Sequence, residues 1–238
     1  MKEIIHDFAD LVFPPRCAGC GEIRADGDIP FCENCCSGVR LIRSPLCACC
    51  GIPFAPGQQD HLCGDCLLEK PPFDKARAVG VYESVLHEAV RRFKYAGNLA
   101  AGHVLGRWMA LYDFPDFSPG GCSVIVPVPL HLNRLRERGF NQSLVLAQQI
   151  SKVHSVPLDF RCLGRLRDTV SQTGLGRNER MTNIRGSFTV RSAGAVEGRK
   201  VLLVDDVLTT GSTAGECARV LLGAGAVSVD LVTLARTA

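Results

Sequence analysis

An α/β fold built on a mostly parallel sheet, preceded by a small cysteine-rich metal-binding segment, is the architecture that this 238-residue sequence predicts. Three observations predict it. Short apolar runs at 124–128 and 201–204 have the length of buried strands and alternate with amphipathic helical stretches, the pattern of a parallel sheet covered on both faces. Ten of the 13 cysteines lie between Cys17 and Cys66. Charge divides in the same way: residues 1–76 hold 7 basic and 11 acidic side chains, a net of −4, whereas 77–238 hold 20 and 13, a net of +7. The larger part suits anionic partners and the smaller does not.

Composition narrows the classes further. With 46% hydrophobic and 21% charged residues the chain is not a disordered one. No apolar run approaches the roughly 20 residues that cross a bilayer, so no membrane insertion is expected. The start, Met1-Lys2-Glu3-Ile4-Ile5-His6-Asp7, lacks a basic stretch followed by an apolar core, so the expectation is a soluble, cytoplasmic protein without a secretory signal. Two parts are expected, a metal-binding domain at 1–72 and an α/β domain at 73–238, each with its own core.

The first part carries four Cys-x-x-Cys pairs: Cys17/Cys20, Cys32/Cys35, Cys47/Cys50 and Cys63/Cys66, separated by 11, 11 and 12 residues. Such a turn brings two sulfurs within reach of one ion, and a second turn completes a tetrahedral thiolate site. Two structural Zn²⁺ sites are therefore expected; an iron–sulfur cluster or disulfides are the alternatives. Pairing in order makes the sets 17/20/32/35 and 47/50/63/66, and a nested pairing stays open. Cys36 and Cys49 are surplus and read as ordinary thiols, and His61 is left out because Cys63 already fits. Four thiolates leave no open position for a water, so the sites read as structural.

Pro71-Pro72 closes this region. Residues 76–82 then read as a strand, 87–95 and 99–112 as helices, and 124–127 as a buried strand. Residues 142–153 read as a helix, 184–190 and 201–204 as strands, 213–222 as a helix and 227–234 as a last strand. Ligands on such sheets bind beyond the carboxyl ends of the strands, which directs attention to the residues just after Val126 and Val204.

After Val204 comes Asp205-Asp206-Val207-Leu208-Thr209-Thr210-Gly211-Ser212-Thr213 and then a helix. Free backbone N–H groups and the positive end of the helix dipole suit a phosphate. Four hydroxyls add donors, and Gly211 lets the backbone wrap closely. Two adjacent carboxylates with no neighbouring Arg or Lys in sequence call for a diol or a metal, because an unpaired buried carboxylate is costly. Helix capping alone needs one such residue.

Residues 201–213 look like the phosphoribosyl-pyrophosphate (PRPP) motif of type I phosphoribosyltransferases. The stretch Pro127-Val128-Pro129-Leu130-His131, with Arg134, Arg136 and Arg138-Gly139-Phe140-Asn141-Gln142, is similar to the ComF family. So is a third stretch, Arg165, Arg167, Thr169, Gln172, Leu175, Arg180 and Asn183 before Gly186-Ser187-Phe188. These motifs and the cysteine array stand in the ComF order over essentially the whole chain. The resemblance implies a type I phosphoribosyltransferase fold behind a double zinc ribbon. It implies that Asp205 and Asp206 hold ribose hydroxyls, that Thr209 to Thr213 (Thr209, Thr210, Gly211, Ser212, Thr213) cradle the 5′-phosphate, and that Val207 and Leu208 belong to the same PRPP-binding stretch.

Ribosyl transfer develops positive charge on the sugar while pyrophosphate leaves, so positioning and charge stabilisation dominate, with Mg²⁺ accompanying PRPP. Pro127 and Pro129 stiffen the turn after Val126, from which Arg134, Arg136 and Arg138 present guanidinium donors to pyrophosphate. Residues 165–183 correspond to a mobile cover in that superfamily, and Arg180 is the residue expected to reach pyrophosphate. Lys94 and Tyr95 end a basic helix and either could meet a ligand. Two functions compete: an enzyme transferring ribose 5-phosphate to a nitrogenous acceptor, and a non-catalytic module that binds PRPP, a related ribose phosphate or single-stranded DNA. The ComF resemblance adds DNA uptake and natural transformation, with a helicase-type partner. Aromatics are sparse, at 6%, which argues against a dedicated single-strand platform.

Overall fold

Val201-Leu202-Leu203-Val204 alternates between two hydrophobic cores, and the architecture follows from that alternation. Leu202 and Val204 point into one core and Val201 and Leu203 into the other, as successive residues of a strand must. A sheet apolar on both faces needs cover on both. In the computed structural model, which describes residues 14–24, 29–95, 99–167 and 184–238, it has that cover.

The central sheet has four strands, β1 (Ala76–Val81), β2 (Val124–Pro127), β5 (Lys200–Leu208) and β6 (Ser228–Arg236), in the order β1-β6-β5-β2. All neighbours are parallel. One face is packed by α3 (Ser84–Tyr95), α4 (Leu99–Leu111) and α6 (Gln142–His154). The other is packed by α7 (Ser212–Gly223) and a two-stranded antiparallel sheet, β3 (Leu163–Arg165) with β4 (Phe188–Val190). Leu86, Ala89, Val90 and Phe93 form the buried stripe of α3 at helical spacing. Close approach of α4 to its neighbours depends on two glycines: a Cβ at Gly102 would collide with the Phe93 ring, and one at Gly106 would lie 2.8 Å from Gln149 on α6.

The strands and long helices stand where the sequence places them, with ends moved by a few residues. Four elements differ: β3 has no counterpart in the sequence reading, and three others depart from it. Residues 132–138 form a helix, α5 (Leu132–Arg138), where a turn is expected; His131 caps its start by accepting from the Asn133 N–H, and Gly139 ends it at φ 78°. Of 184–190, only Phe188–Val190 is strand, and it belongs to the small sheet. β5 runs four residues past Val204, because Asp205, Val207 and Leu208 continue the register with Thr233, Ala235 and Arg236 of β6.

The two ribbons each add a short helix, α1 (Glu33–Ser37) and α2 (Gly64–Leu68). Their side chains do not form separate cores, contrary to expectation. Cys17, Ala18 and Phe31 of the first ribbon are buried in the α3/α4/α6 core, and Phe31 meets Trp108 of α4 edge-on at 5.4 Å. Cys47, Cys49 and Cys66 of the second belong to the core under α7. The buried Arg77 of β1 donates to the carbonyls of Ala48 at 3.1 Å, Cys49 at 3.4 Å and Pro115 at 2.9 Å, and Arg236 of β6 donates to that of Cys50. A ribbon has too few large apolar residues to bury its own surface, so the sheet's two faces supply the partner.

Trp108 is the single tryptophan and reports on this docking. Stripping the metal, or the Cys17→Ser substitution, is expected to red-shift its emission. Thermal unfolding followed by that emission and by far-UV circular dichroism should then give one coincident, lowered transition. Two separated transitions would show that the ribbon and the sheet unfold independently.

Candidate metal and ribose-phosphate sites

The Cys-x-x-Cys turns converge in chain order. Cys17, Cys20, Cys32 and Cys35 form one tetrad, and Cys47, Cys50, Cys63 and Cys66 the other, with the four sulfurs of each within 4.8 Å of one another. Across the tetrads the Cys20–Cys32 and Cys50–Cys63 sulfurs are 3.8 and 3.7 Å apart. A tetrahedron with Zn–S bonds of about 2.3 Å has edges of about 3.8 Å, so the donor set fits zinc. Burial pushes the Cys17 and Cys47 thiols up, but backbone N–H groups of the knuckle turns outweigh it and bring both down to about 6. Burial and the crowding of neighbouring sulfurs push Cys35 up to about 12 and Cys66 higher still. A cation at the centre relieves that crowding. The order of pairing left open by the spacing is thus sequential. Cys36 and Cys49 lie outside both tetrads, Cys49 facing the Phe73 carbonyl, and His61 stacks on Phe54 at 4.1 Å.

The second site lies where β2 stops and β5 continues. The last bond between those strands' ends is Val128 N–H to the Val204 carbonyl, 2.9 Å. Along the extension of β5 a cavity of about 210 Å³ opens, walled by Asp205, Asp206, Val207, Leu208, Thr209, Gly211, Ser212 and Thr213, all expected from sequence. Gly211 sits at φ 78° as the N-cap of α7, a conformation that disfavours a side chain. Thr210 bonds the Ser212 hydroxyl at 2.8 Å and faces an adjoining groove of about 720 Å³ between the second ribbon and α7.

Sequence reasoning missed four wall residues, Tyr82, Ala214, Leu231 and Thr233, and offered Lys94 only as one of two helix-end residues that could meet a ligand. Lys94 corrects an explicit premise. The acid pair has no Arg or Lys beside it in sequence, yet Lys94 Nζ of α3 lies 2.9 Å from Asp206 Oδ1. Burial alone would lower the Lys94 ammonium, but the charge of Asp206 prevails and holds it above its ordinary value. Asp205 accepts from the Ser143 hydroxyl at 2.8 Å and from the Asp206 N–H at 2.9 Å. It keeps some surface open to the cavity but lies deep in the fold; that burial, then the Asp206 charge, pushes its carboxyl up to about 7.

Pro129, Arg134 and Arg138 are not among the described residues that wall this cavity. Arg138, in the last turn of α5, bonds Gln142 at 3.1 Å and stacks over the exposed Tyr95 ring at 5.3 Å. Arg180 lies outside the described residues.

The chain matches family models for a double zinc ribbon domain over residues 8–67 and a phosphoribosyl transferase domain over 141–238. It is 33% identical over 231 residues to the DNA utilization protein YhgH of Escherichia coli K12, covering 95% of this chain and 99% of that one. The chain belongs to the ComF family. Two further relatives are competence protein F of Haemophilus influenzae, 32% identical over 90% of this chain and 96% of its own, and competence protein ComFC of Bacillus subtilis, 30% over 88% and 85%. ComF membership makes the sheet a type I phosphoribosyltransferase fold and the tetrads zinc-ribbon sites. This ComF chain has no helix long and apolar enough to cross a membrane among its described residues.

Two outcomes are expected. Elemental analysis should find two zinc ions per chain, two after Cys49→Ser, and about one after Cys66→Ser. Asp205 should make stability fall as pH rises from about 4 to 7, because the folded chain holds in that window a proton the unfolded chain has already released. Denaturant unfolding of Asp205→Asn should show that fall removed, with a gain at pH 8 above about 1.4 kcal/mol, the worth of one pKa unit.

Proposed function

We propose that this ComF protein binds PRPP in the cavity beyond β5 and transfers its ribose 5-phosphate to a nitrogenous acceptor. One observation carries the reading: the carboxylate pair Asp205–Asp206 and the hydroxyl- and N–H-rich turn from Thr209 to Thr213 wall the same small cavity. A phosphate and a diol that belong to one molecule need that juxtaposition.

Each group has a defined task in this reading. Backbone N–H groups and hydroxyls of the turn hold the 5′-phosphate at the start of α7. Carboxylate oxygens of Asp205 and Asp206 accept from the sugar hydroxyls and so fix the ring. As pyrophosphate leaves, negative charge grows on it, and preorganised cationic donors stabilise that charge. Arg134 and Arg138 after β2 and Arg180, with Pro129 stiffening the turn, are assigned to that role. Mg²⁺ enters with PRPP as part of the substrate and neutralises the pyrophosphate. The names of the relatives, DNA utilization and competence proteins, support a place for this chain in DNA uptake; single-stranded DNA and a helicase-type protein are the partners that this reading adds. The net +7 of residues 77–238 is compatible with a polyanion nearby.

Calorimetric titration with Mg²⁺–PRPP, followed by a pyrophosphate-release screen over bases and amines, tests the reading. Wild-type protein is expected to bind and release pyrophosphate with at least one acceptor. Asp205→Asn, which folds at least as stably, should bind more weakly by about 1.5–3 kcal/mol, the range for hydrogen bonds to a charged group. Binding without turnover on any acceptor would leave a binding module, and unchanged affinity in Asp205→Asn would remove the ribose assignment.

A further inference from the structure

One carboxylate of the pair has its counter-ion in place before any ligand arrives. Lys94 Nζ stands 2.9 Å from Asp206 Oδ1, with the two side chains 20% and 11% exposed, in the wall of the cavity that Asp205 also lines. The helix that carries Lys94 is anchored by packing one residue away. The preceding residue, Phe93, is fully buried, with its ring 5.5 Å from Phe140 and pressed on the α4 backbone at Gly102. With α3 clamped there, the Lys94 stem reaches across to β5.

We infer that Lys94 is the built-in counter-ion of the ribose-binding carboxylates, so that Asp205 and Asp206 engage the sugar's neutral hydroxyls without a divalent cation of their own. The inference rests on the phosphoribosyl reading and extends it to the metal requirement of the site. A divalent ion at Asp206 would sit within a few ångströms of the ammonium, and the repulsion in a partly desolvated wall is large. One Asp205 oxygen is engaged by Ser143 and the Asp206 N–H. Among the described residues, the groups of three or more His, Cys, Asp or Glu side chains within metal-binding reach are the two cysteine tetrads, and the acid pair gathers no third carboxylate. A diol, by contrast, donates two neutral hydroxyls to the carboxylates and leaves the charge balance unchanged. Mg²⁺ is then needed only where pyrophosphate is.

Ribose 5-phosphate is the probe, because it has the diol and the phosphate and no pyrophosphate to recruit Mg²⁺. Calorimetry is run in buffer freed of divalent ions by resin rather than by a soluble chelator, with the zinc content checked before and after, and repeated with Mg²⁺ added. Wild-type affinity is expected to agree within about twofold between the two conditions. Lys94→Met should bind at least tenfold more weakly without divalent ions and regain part of the loss when Mg²⁺ is supplied. The wild-type comparison stands whether or not that variant folds. Wild-type binding of ribose 5-phosphate that requires Mg²⁺, or Lys94→Met binding as wild type without it, would overturn the Lys94 assignment and leave the PRPP reading intact. Failure of wild type to bind either ribose 5-phosphate or Mg²⁺–PRPP would overturn both.

Discussion

Two carboxylates set side by side near the end of a buried strand must be compensated from outside that strand, since parallel neighbours contribute only backbone to the ladder. Compensation comes from two helices on the same face of the sheet: Lys94 of α3 to Asp206, and Ser143 of α6 to Asp205. Both contacts require those helices to stand at fixed distances from β5. Phe93, Gly102 and Gly106 fix them by packing α3 on α4 and α4 on α6 with little space between. An unpaired buried charge costs far more than a surface one, so this part of the core is arranged around the acid pair as much as around its apolar residues.

The double ribbon enters the same economy of burial. Each face of the four-stranded sheet is finished by one ribbon, the first beside α3 and α4, the second beside α7. Metal binding thus does more than hold two knuckles together, because it shapes surfaces against which the phosphoribosyltransferase sheet is packed. Arg77 and Arg236 make the second attachment specific. Their guanidinium groups take up carbonyls of the 47–51 turn that a thiolate-bound loop turns outward, and both arise from strands that adjoin the cavity, β1 through Tyr82 just past its end and β6 through Leu231 and Thr233. A buried guanidinium is stable only with its donors satisfied, so ribbon and sheet each complete the other's hydrogen bonding.

Local pattern made much of this legible in advance. Cysteine spacing sufficed for the metal sites because a Cys-x-x-Cys turn is a geometric unit whatever surrounds it. The apolar runs of β2 and β5 sufficed for a parallel sheet, because a strand with no polar face has nowhere else to go. The run from Asp205 to Thr213 pointed to the cavity, since most of the groups that line it are close together in sequence.

What the sequence could not determine are the relations between segments far apart along it. The acids were read as lacking a cation, and Lys94 supplies it from a helix more than a hundred residues earlier. The sulfur pairs could be matched in order or nested, and only folding of the chain decided for the ordered set. α5 was hidden because its Arg-rich residues have no apolar period, its ends being set by His131 and Gly139. β5 was read too short because Asp205 to Leu208 is polar in part, and its strand geometry is imposed by hydrogen bonds to β6. The two parts read as independent because composition changes abruptly at Pro71-Pro72, whereas burial belongs to the assembled molecule: Phe31 is a core residue only once Trp108 is beside it. Spacing and periodicity are properties of neighbours in the chain, while charge compensation and burial are properties of neighbours in space, and the second set had to await the tertiary structure.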